Sequence, residues 1–207
     1  MRKGAIILCG GKSSRMGHDK ALLPFGNEVM MQRVVRLIEK VVSRNNIVVV
    51  AAADQALPTL PAGLQVARDS VAFQGPLAGM ATGLRAYSSN AVDALFVTAC
   101  DAPFLQPRFV ERMFDLLGHH EAAVPVDQAR YYPLAAVYRP VVLSRIESCL
   151  ECGQHRVRDL IDAIDVQRVS MEELRTIDAE LRSLVNVNSE EEYHAALVNA
   201  KIREDLF

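Results

Sequence analysis

Ala5-Ile6-Ile7-Leu8-Cys9-Gly10-Gly11-Lys12-Ser13-Ser14-Arg15-Met16-Gly17-His18-Asp19-Lys20 is a short apolar run that stops at paired glycines and continues into cations. Residues 5–9 are continuously apolar rather than alternating, the pattern of a strand covered on both faces. The same pattern repeats outward. Met30, Val34, Leu37, Ile38 and Val41 recur at helical spacing, and Ile47-Val48-Val49-Val50-Ala51 is a second apolar strand. Leu64–Ala67 is a third candidate, Leu77–Ala86 suits a helix, Ala94–Ala99 is another buried strand, and Phe109, Met113 and Leu116 give a further helical face. Strand and helix alternating at these intervals predict an α/β fold, a three-layer α/β/α sandwich around a mostly parallel twisted sheet.

Beyond Tyr138, Val141–Leu150 and Val157–Ile164 read as helices and Val166–Val169 as a short strand. Ser170 and Glu173 have capping-box spacing ahead of Leu174. Leu184-Val185-Asn186-Val187 reads as a late strand, expected to be antiparallel, feeding a last helix through Tyr193, Leu197 and Ile202. No repeat, low-complexity linker or shift of composition interrupts the chain, so residues 1–207 are expected to form a single domain.

Composition narrows the function. The 207 residues are 50% hydrophobic and 23% charged, too apolar for a disordered chain. Lys and Arg total 23 against 25 Asp and Glu. No global positive field recruits nucleic acid or an acidic membrane, so any anion site is local. The basic start, Met1-Arg2-Lys3-Gly4, precedes too short an apolar run for a secretory signal, and no stretch approaches a membrane span. The four cysteines do not resemble a secreted disulfide framework. A soluble, cytoplasmic protein is expected.

The loop after the first strand is the most informative segment for chemistry. Adjacent glycines let the backbone approach an anion and turn its N–H groups toward it. Lys12, Arg15 and Lys20 add cations suited to a triphosphate. Two familiar loops fail on spacing. A Walker A motif would need its first glycine at Ile6, inside the strand, and the dinucleotide pattern G-x-G-x-x-G does not accommodate adjacent glycines followed next by Gly17.

Leu8-Cys9-Gly10-Gly11-x-Ser13-Ser14-Arg15-Met16-Gly17-x-Asp19-Lys20 resembles the signature loop of the molybdenum cofactor guanylyltransferases, the MobA-like nucleotidyltransferases. Further matches follow in order: Asp69-Ser70, Gly75-Pro76-Leu77-Ala78-Gly79, Cys100-Asp101-Ala102-Pro103-Phe104, Tyr132-Pro133-Leu134, and Asn186-Val187-Asn188 before an acidic helix start. The resemblance implies a Rossmann-like nucleotidyltransferase fold. It also implies transfer of GMP from GTP, with Mg2+, to the terminal phosphate of molybdenum-molybdopterin, with release of pyrophosphate. Other implied partners are molybdopterin-synthesis and molybdoenzyme-maturation proteins.

By that resemblance Leu8, Cys9 and Gly10 hold the guanine and ribose side through backbone groups, and Gly11 bears on base choice, since CTP-using relatives tend to carry L-A-A-G there. Lys20, Asp69 and Gly79 are implied nucleotide contacts. Arg15, Lys20 and Asp101 are implied catalytic residues, Asp101 as the magnesium ligand. Asn188 is either a second metal ligand or a helix cap, and Arg156 lies on the pterin side. Cys9 departs from the family's usual alanine, Ala51-Ala52-Ala53 stand where relatives carry an asparagine, and Tyr132 replaces a frequent histidine. The alternatives are a CTP-using or sugar-phosphate nucleotidyltransferase, or a carrier that binds nucleotide or cofactor without chemistry.

Asp101 stands on the residues alone as well. It follows a buried strand and precedes Ala102-Pro103, so a carboxylate is expected at a carboxyl strand end, where open α/β sheets bind ligands. Cys149 and Cys152 with His155 imitate a metal cluster, but no second pair completes a structural zinc site, and packing is the expected role. His119 and His120 read as surface residues at a helix end.

Overall fold

The computed structural model describes residues 1–9, 19–69, 75–87 and 91–202. Alternate residues of its first strand enter different cores. β1 (Lys3–Leu8) sends Ala5 and Ile7 to one face and Ile6 and Leu8 to the other, all of them buried. β2 (Ile47–Ala52), β3 (Gln65–Asp69) and, beyond the helix that follows, β4 (Ala94–Ala99) join it in parallel. On the face of Ala5 and Ile7 lie α1 (Met30–Ile38), through Met31, Val34, Val35 and Ile38, and α3 (Pro107–Leu116), through Phe109, Val110, Met113 and Phe114. On the other face lie α2 (Pro76–Arg85), α4 (Val142–Glu151) and α5 (Val157–Ala163). Three layers result, as the continuous apolar strands require.

α2 sits unusually close to β1 because its contact face is glycine. A Cβ on Gly79 would stand 3.2 Å from Leu8, and one on Gly83 only 2.8 Å from Ile6. Gly75, just ahead of the helix, has φ +85°, which side-chain-bearing residues rarely adopt, and Pro76 occupies the first turn.

The rest of the sheet is β5 (Ala122–Asp127), β6 (Arg130–Tyr131), β7 (Ala135–Tyr138) and β8 (Val166–Ser170). β7 is antiparallel to both β4 and β5, β6 is antiparallel to β5, and β8 is parallel to β5. β6 and β7 share one side of β5, since β8 runs along it from Ala122 to Val126. Pro125 lies where the β7 pairing has ended and the β6 pairing has not begun, so its missing N–H falls at an interruption. The expected single antiparallel element is therefore this broken β6–β7 segment.

Leu184–Val187, expected to be that strand, is not one. Arg182–Leu184 form a 3-10 turn, and the chain then crosses the strand ends instead of following an edge. Its link to the sheet is the Val187 N–H, which donates to the Asp101 carbonyl at 2.9 Å. Val187 fills a small separate core with Phe25, Met30, Ala196 and Leu197, the last two from α7 (Glu190–Asn199). Local apolar filling, rather than a ladder, accounts for Val187, while Val185 is exposed. The helix α6 (Met171–Arg175) begins as expected, with Ser170 accepting from the Glu173 N–H.

The strand order β3-β2-β1-β4 reverses direction at β1: the chain first builds outward to β3, then returns to place β4 on the other side. Such a switch point opens a crevice at the carboxyl ends of the two flanking strands. No helix among the described residues is long and apolar enough to cross a membrane.

Candidate active site

The parallel ladder continues one step past β1 and β4. Cys9 donates its N–H to Val50 at 2.8 Å and Cys100 donates to Leu8 at 2.9 Å. The ladder thus holds the entry to the glycine loop and the residue before Asp101 side by side at the switch point. The two cysteines are buried and free, and their side chains touch. The hydrogen bond to Cys9, with burial, pushes the Cys100 thiol well above its ordinary range, so it remains protonated.

Asp101 is only 8% exposed. Its Oδ2 accepts from Lys20 Nζ at 3.0 Å, while Oδ1 is buried with no hydrogen-bond partner among the described residues. Desolvation raises its pKa above the usual carboxylate value, opposed by the charge and hydrogen bond of Lys20. Buried polar atoms are ordinarily satisfied, so a buried carboxylate oxygen without a partner among the described residues is a candidate ligand atom.

Asn188 completes the group. Its Oδ1 accepts from the same Lys20 Nζ at 3.0 Å. The alternative role of helix cap belongs to its neighbour: Ser189 accepts from the Glu192 N–H at 3.2 Å, while the Asn188 side chain faces Lys20. The bond from Val187 to the Asp101 carbonyl fixes this approach. Two oxygens on different segments converge on one point, as a hard cation with oxygen ligands requires. On donor type and on the unfilled Oδ1, these residues fit a magnesium ion.

Lys20 opens a short 3-10 turn, Lys20–Leu22, capped by the Asp19 side chain, which accepts from the Ala21 N–H. Gln55, which the sequence reading passed over, ties this turn to β1. Its amide nitrogen donates to the Cys9 carbonyl at 3.0 Å and to Asp19 at 2.8 and 3.0 Å. Gln55 therefore clamps both flanks of residues 10–18. Its own backbone is held by Arg68, which donates to the Ala52 and Gln55 carbonyls. No motif announced it; its one mark in the sequence is a polar side chain among alanines after the second strand.

The other expected residues divide by position. Leu8 and Cys9 are at the crevice as expected, whereas Gly10, Gly11 and Arg15 lie outside the described residues. Asp69 ends β3, opposite Ala52, and is separated from β1 by β2. Gly79 is buried against Leu8, which gives it a packing role. The turn before α5 reaches the start of α2, where the His155 carbonyl lies 3.4 Å from the Cβ position of Gly75, so Arg156 is brought to the ligand end of the sheet. Tyr132 is at the same end, just ahead of the β7 pairing of Ala135 with Thr98, under the Arg130 guanidinium.

Cys149, on α4, packs in the core, and Cys152 is exposed at the helix end. His119, His120 and Asp165 have ligand atoms within 4.8 Å of one another. They precede β5 and β8, at the opposite end of the sheet from Asp101, and take no part in this crevice.

The MobA-like NTP transferase domain matches residues 5–169. The chain belongs to this family. It is a nucleotidyltransferase. A Mycobacterium bovis protein named "Probable molybdenum cofactor guanylyltransferase" is 35% identical over 196 residues, spanning 93% of this chain and 92% of its own. A Methanosarcina mazei protein of the same name is 34% identical over 212 residues, spanning 96% and 92%. The crystal structure of molybdopterin-guanine dinucleotide biosynthesis protein A from Archaeoglobus fulgidus superposes with a TM-score of 0.77 at 21% identity, covering 96% of this chain and 98% of that one. It shares the fold.

Proposed function

We propose that the chain, acting as one nucleotidyltransferase unit, transfers GMP from GTP to the terminal phosphate of molybdenum-molybdopterin. The observation that carries this reading is the meeting of Lys20, Asp101 and Asn188 at the β1–β4 crevice, beside the entry to the glycine loop. The names of the relatives support the choice of GTP and of the molybdopterin acceptor.

In this reading an acceptor phosphate oxygen attacks the α-phosphorus of GTP. One P–O bond forms, the bond to the β-phosphate breaks, and pyrophosphate leaves with its electron pair. A phosphate monoester has a second pKa of about 6, so the nucleophile is already ionised and needs no general base. The work left to the protein is alignment and charge neutralisation. Backbone groups of Leu8, Cys9, Gly10 and Gly11 hold the guanosine, with Asp69 a further contact and Gly79 allowing close approach of α2. Lys20 and Arg15 offset charge on the departing pyrophosphate. Magnesium, held by Asp101 with Asn188 as second ligand, would supply electrophilic charge at the phosphates.

The test is pyrophosphate release by the purified chain given GTP, magnesium and molybdenum-molybdopterin, with formation of the guanine dinucleotide. A preference for CTP would overturn the choice of donor. Nucleotide binding without pyrophosphate release would identify a carrier.

A further inference from the structure

Lys20 is where a nucleotide contact is least expected. Instead of lying open to an incoming phosphate, its ammonium is drawn in to Asp101 Oδ2 and Asn188 Oδ1, 3.0 Å from each. Its side chain retains 19% exposure and that of Asp101 12%. These two oxygens are the pair that would hold the divalent ion, so one charge already stands between them.

We infer that Lys20 is an exchangeable counter-cation, holding the place of the metal between Asp101 and Asn188 until a metal-bound triphosphate arrives. This rests on the function proposed above and deepens it. Three features support exchange rather than a permanent ion pair. The ammonium satisfies one oxygen of the carboxylate and leaves Oδ1 buried without a side-chain partner among the described residues, whereas a settled buried pair has its remaining lone pairs satisfied. Asn188 is neutral, so Lys20 gains a hydrogen bond there but no charge, and a neutral amide oxygen serves equally as a metal ligand. Lys20 also starts the short turn that follows the glycine loop, so a swing of its four-carbon stem carries the charge from the carboxylate toward the loop side without moving β1 or β4.

The consequence is a coupling between ligands. A bare divalent ion must displace the ammonium without bringing it a new anion, and two cations in a half-buried crevice repel. A triphosphate arriving with the ion offers the ammonium a new anion. Metal and nucleotide therefore bind together far better than the metal binds alone, and Lys20 is the positioning residue that links them.

The experiment uses the full chain and Mn2+ as the probe, with free Mn2+ followed by electron paramagnetic resonance and bound GTP by calorimetry. Lys20→Met keeps the stem and removes the charge. It is expected to bind bare Mn2+ about tenfold more tightly than wild type, and Mn2+-GTP about tenfold more weakly. A merely structural lysine would not improve metal binding when removed. Adding Asp101→Asn to Lys20→Met should abolish the gain. Lys20→Gln repeats the measurement with a neutral hydrogen-bonding side chain, and a gain in either folded variant supports the exchange. Bare Mn2+ binding no tighter than wild type in both overturns it. If wild type binds no Mn2+-GTP, or Asp101→Asn leaves that binding unchanged, the proposed function itself fails instead.

Discussion

Asp93 stands immediately before β4 and Asp101 two residues after it, and each carboxylate faces one cation. Arg2 Nη2 lies 2.8 Å from Asp93, and Lys20 Nζ lies 3.0 Å from Asp101. Their acidities nevertheless move in opposite directions. Asp93, at the surface with both oxygens bonded to Arg2, falls to about 2. Asp101, buried with one oxygen lacking a side-chain partner among the described residues, rises above its ordinary value. The side-chain partner carries the same charge at both ends, so burial of Asp101 leads the difference, with Glu192 adding to its rise and the chain's amino terminus adding to the fall of Asp93. The amino end of the strand is built for the folded state alone. The carboxyl end keeps a carboxylate that the folded chain does not fully satisfy, as sites that receive a charged ligand do.

Neutralising each aspartate in turn is the strongest way to break that contrast. Asp101→Asn is expected to lower turnover by at least about 10²-fold, the usual loss on removing one electrostatic stabiliser. Its thermal midpoint should be no lower than that of wild type. A carboxyl whose folded pKa is raised opposes folding once it is ionised, and the amide removes that penalty. Asp93→Asn should leave pyrophosphate release unchanged. Equal turnover in the two variants, measured with GTP and magnesium, would erase the functional distinction between the strand ends.

A smaller effect sharpens the account of the carboxyl end. Gln55 bonds the carbonyl of Cys9, whose backbone is proposed to hold the guanosine, and the side chain of Asp19, on either side of residues 10–18. Gln55→Leu removes the side-chain amide donor from Asp19 and leaves it the Ala21 N–H. A hydrogen bond to a charged group is worth about 1.5–3 kcal/mol, so KM for GTP should rise roughly tenfold or more while kcat changes little. Gln55→Glu places a second carboxylate against Asp19 and should raise KM further. If kcat falls with KM unchanged in both variants, Gln55 acts on the chemistry and its clamping role is wrong.

The same division between local and long-range information governs what could be read from the chain. β1, β2, β4 and their covering helices were legible because each is a continuous apolar run or a 3.6-residue pattern, and Ala94–Ala99 kept its predicted limits. β5 to β7 were hidden because Pro125 interrupts one strand and the partner is split into two short pieces. Val187 misled for the opposite reason: its β-branched side chain fills a small core beside a bend rather than joining a ladder, and its neighbour Val185 is exposed. In the site, Asp101 and Lys20 could be named from motif and position. That Lys20 reaches both Asp101 and Asn188 depends on contacts between segments far apart in the chain, whereas the Ser189 cap of α7 is local, a bond to the Glu192 N–H at capping-box spacing. Gln55 had no signal of its own, because its importance lies in what two distant backbones bring to it.

The acid limb of stability gives the smallest and most specific check on the amino end. Asp93 has its pKa lowered from 3.8 to about 2, first by the hydrogen bond from the Arg2 side chain and next by that from the Arg2 N–H. A carboxyl with a depressed folded pKa contributes stability that is fully present above its unfolded value and disappears as pH falls through the folded one. The gap between wild type and Asp93→Asn in denaturant midpoint should therefore be constant above about pH 4 and close as the pH approaches 2. Because the pair is at the surface, added salt should narrow the gap at neutral pH. Asp101→Asn should behave in the reverse sense: its advantage over wild type is greatest when the native carboxyl is ionised and fades as acid protonates it, beginning at a higher pH than for an ordinary aspartate. Parallel pH profiles for the two variants would mean that the ends of β4 differ in ligand contacts alone and not in the electrostatic strain they place on the fold.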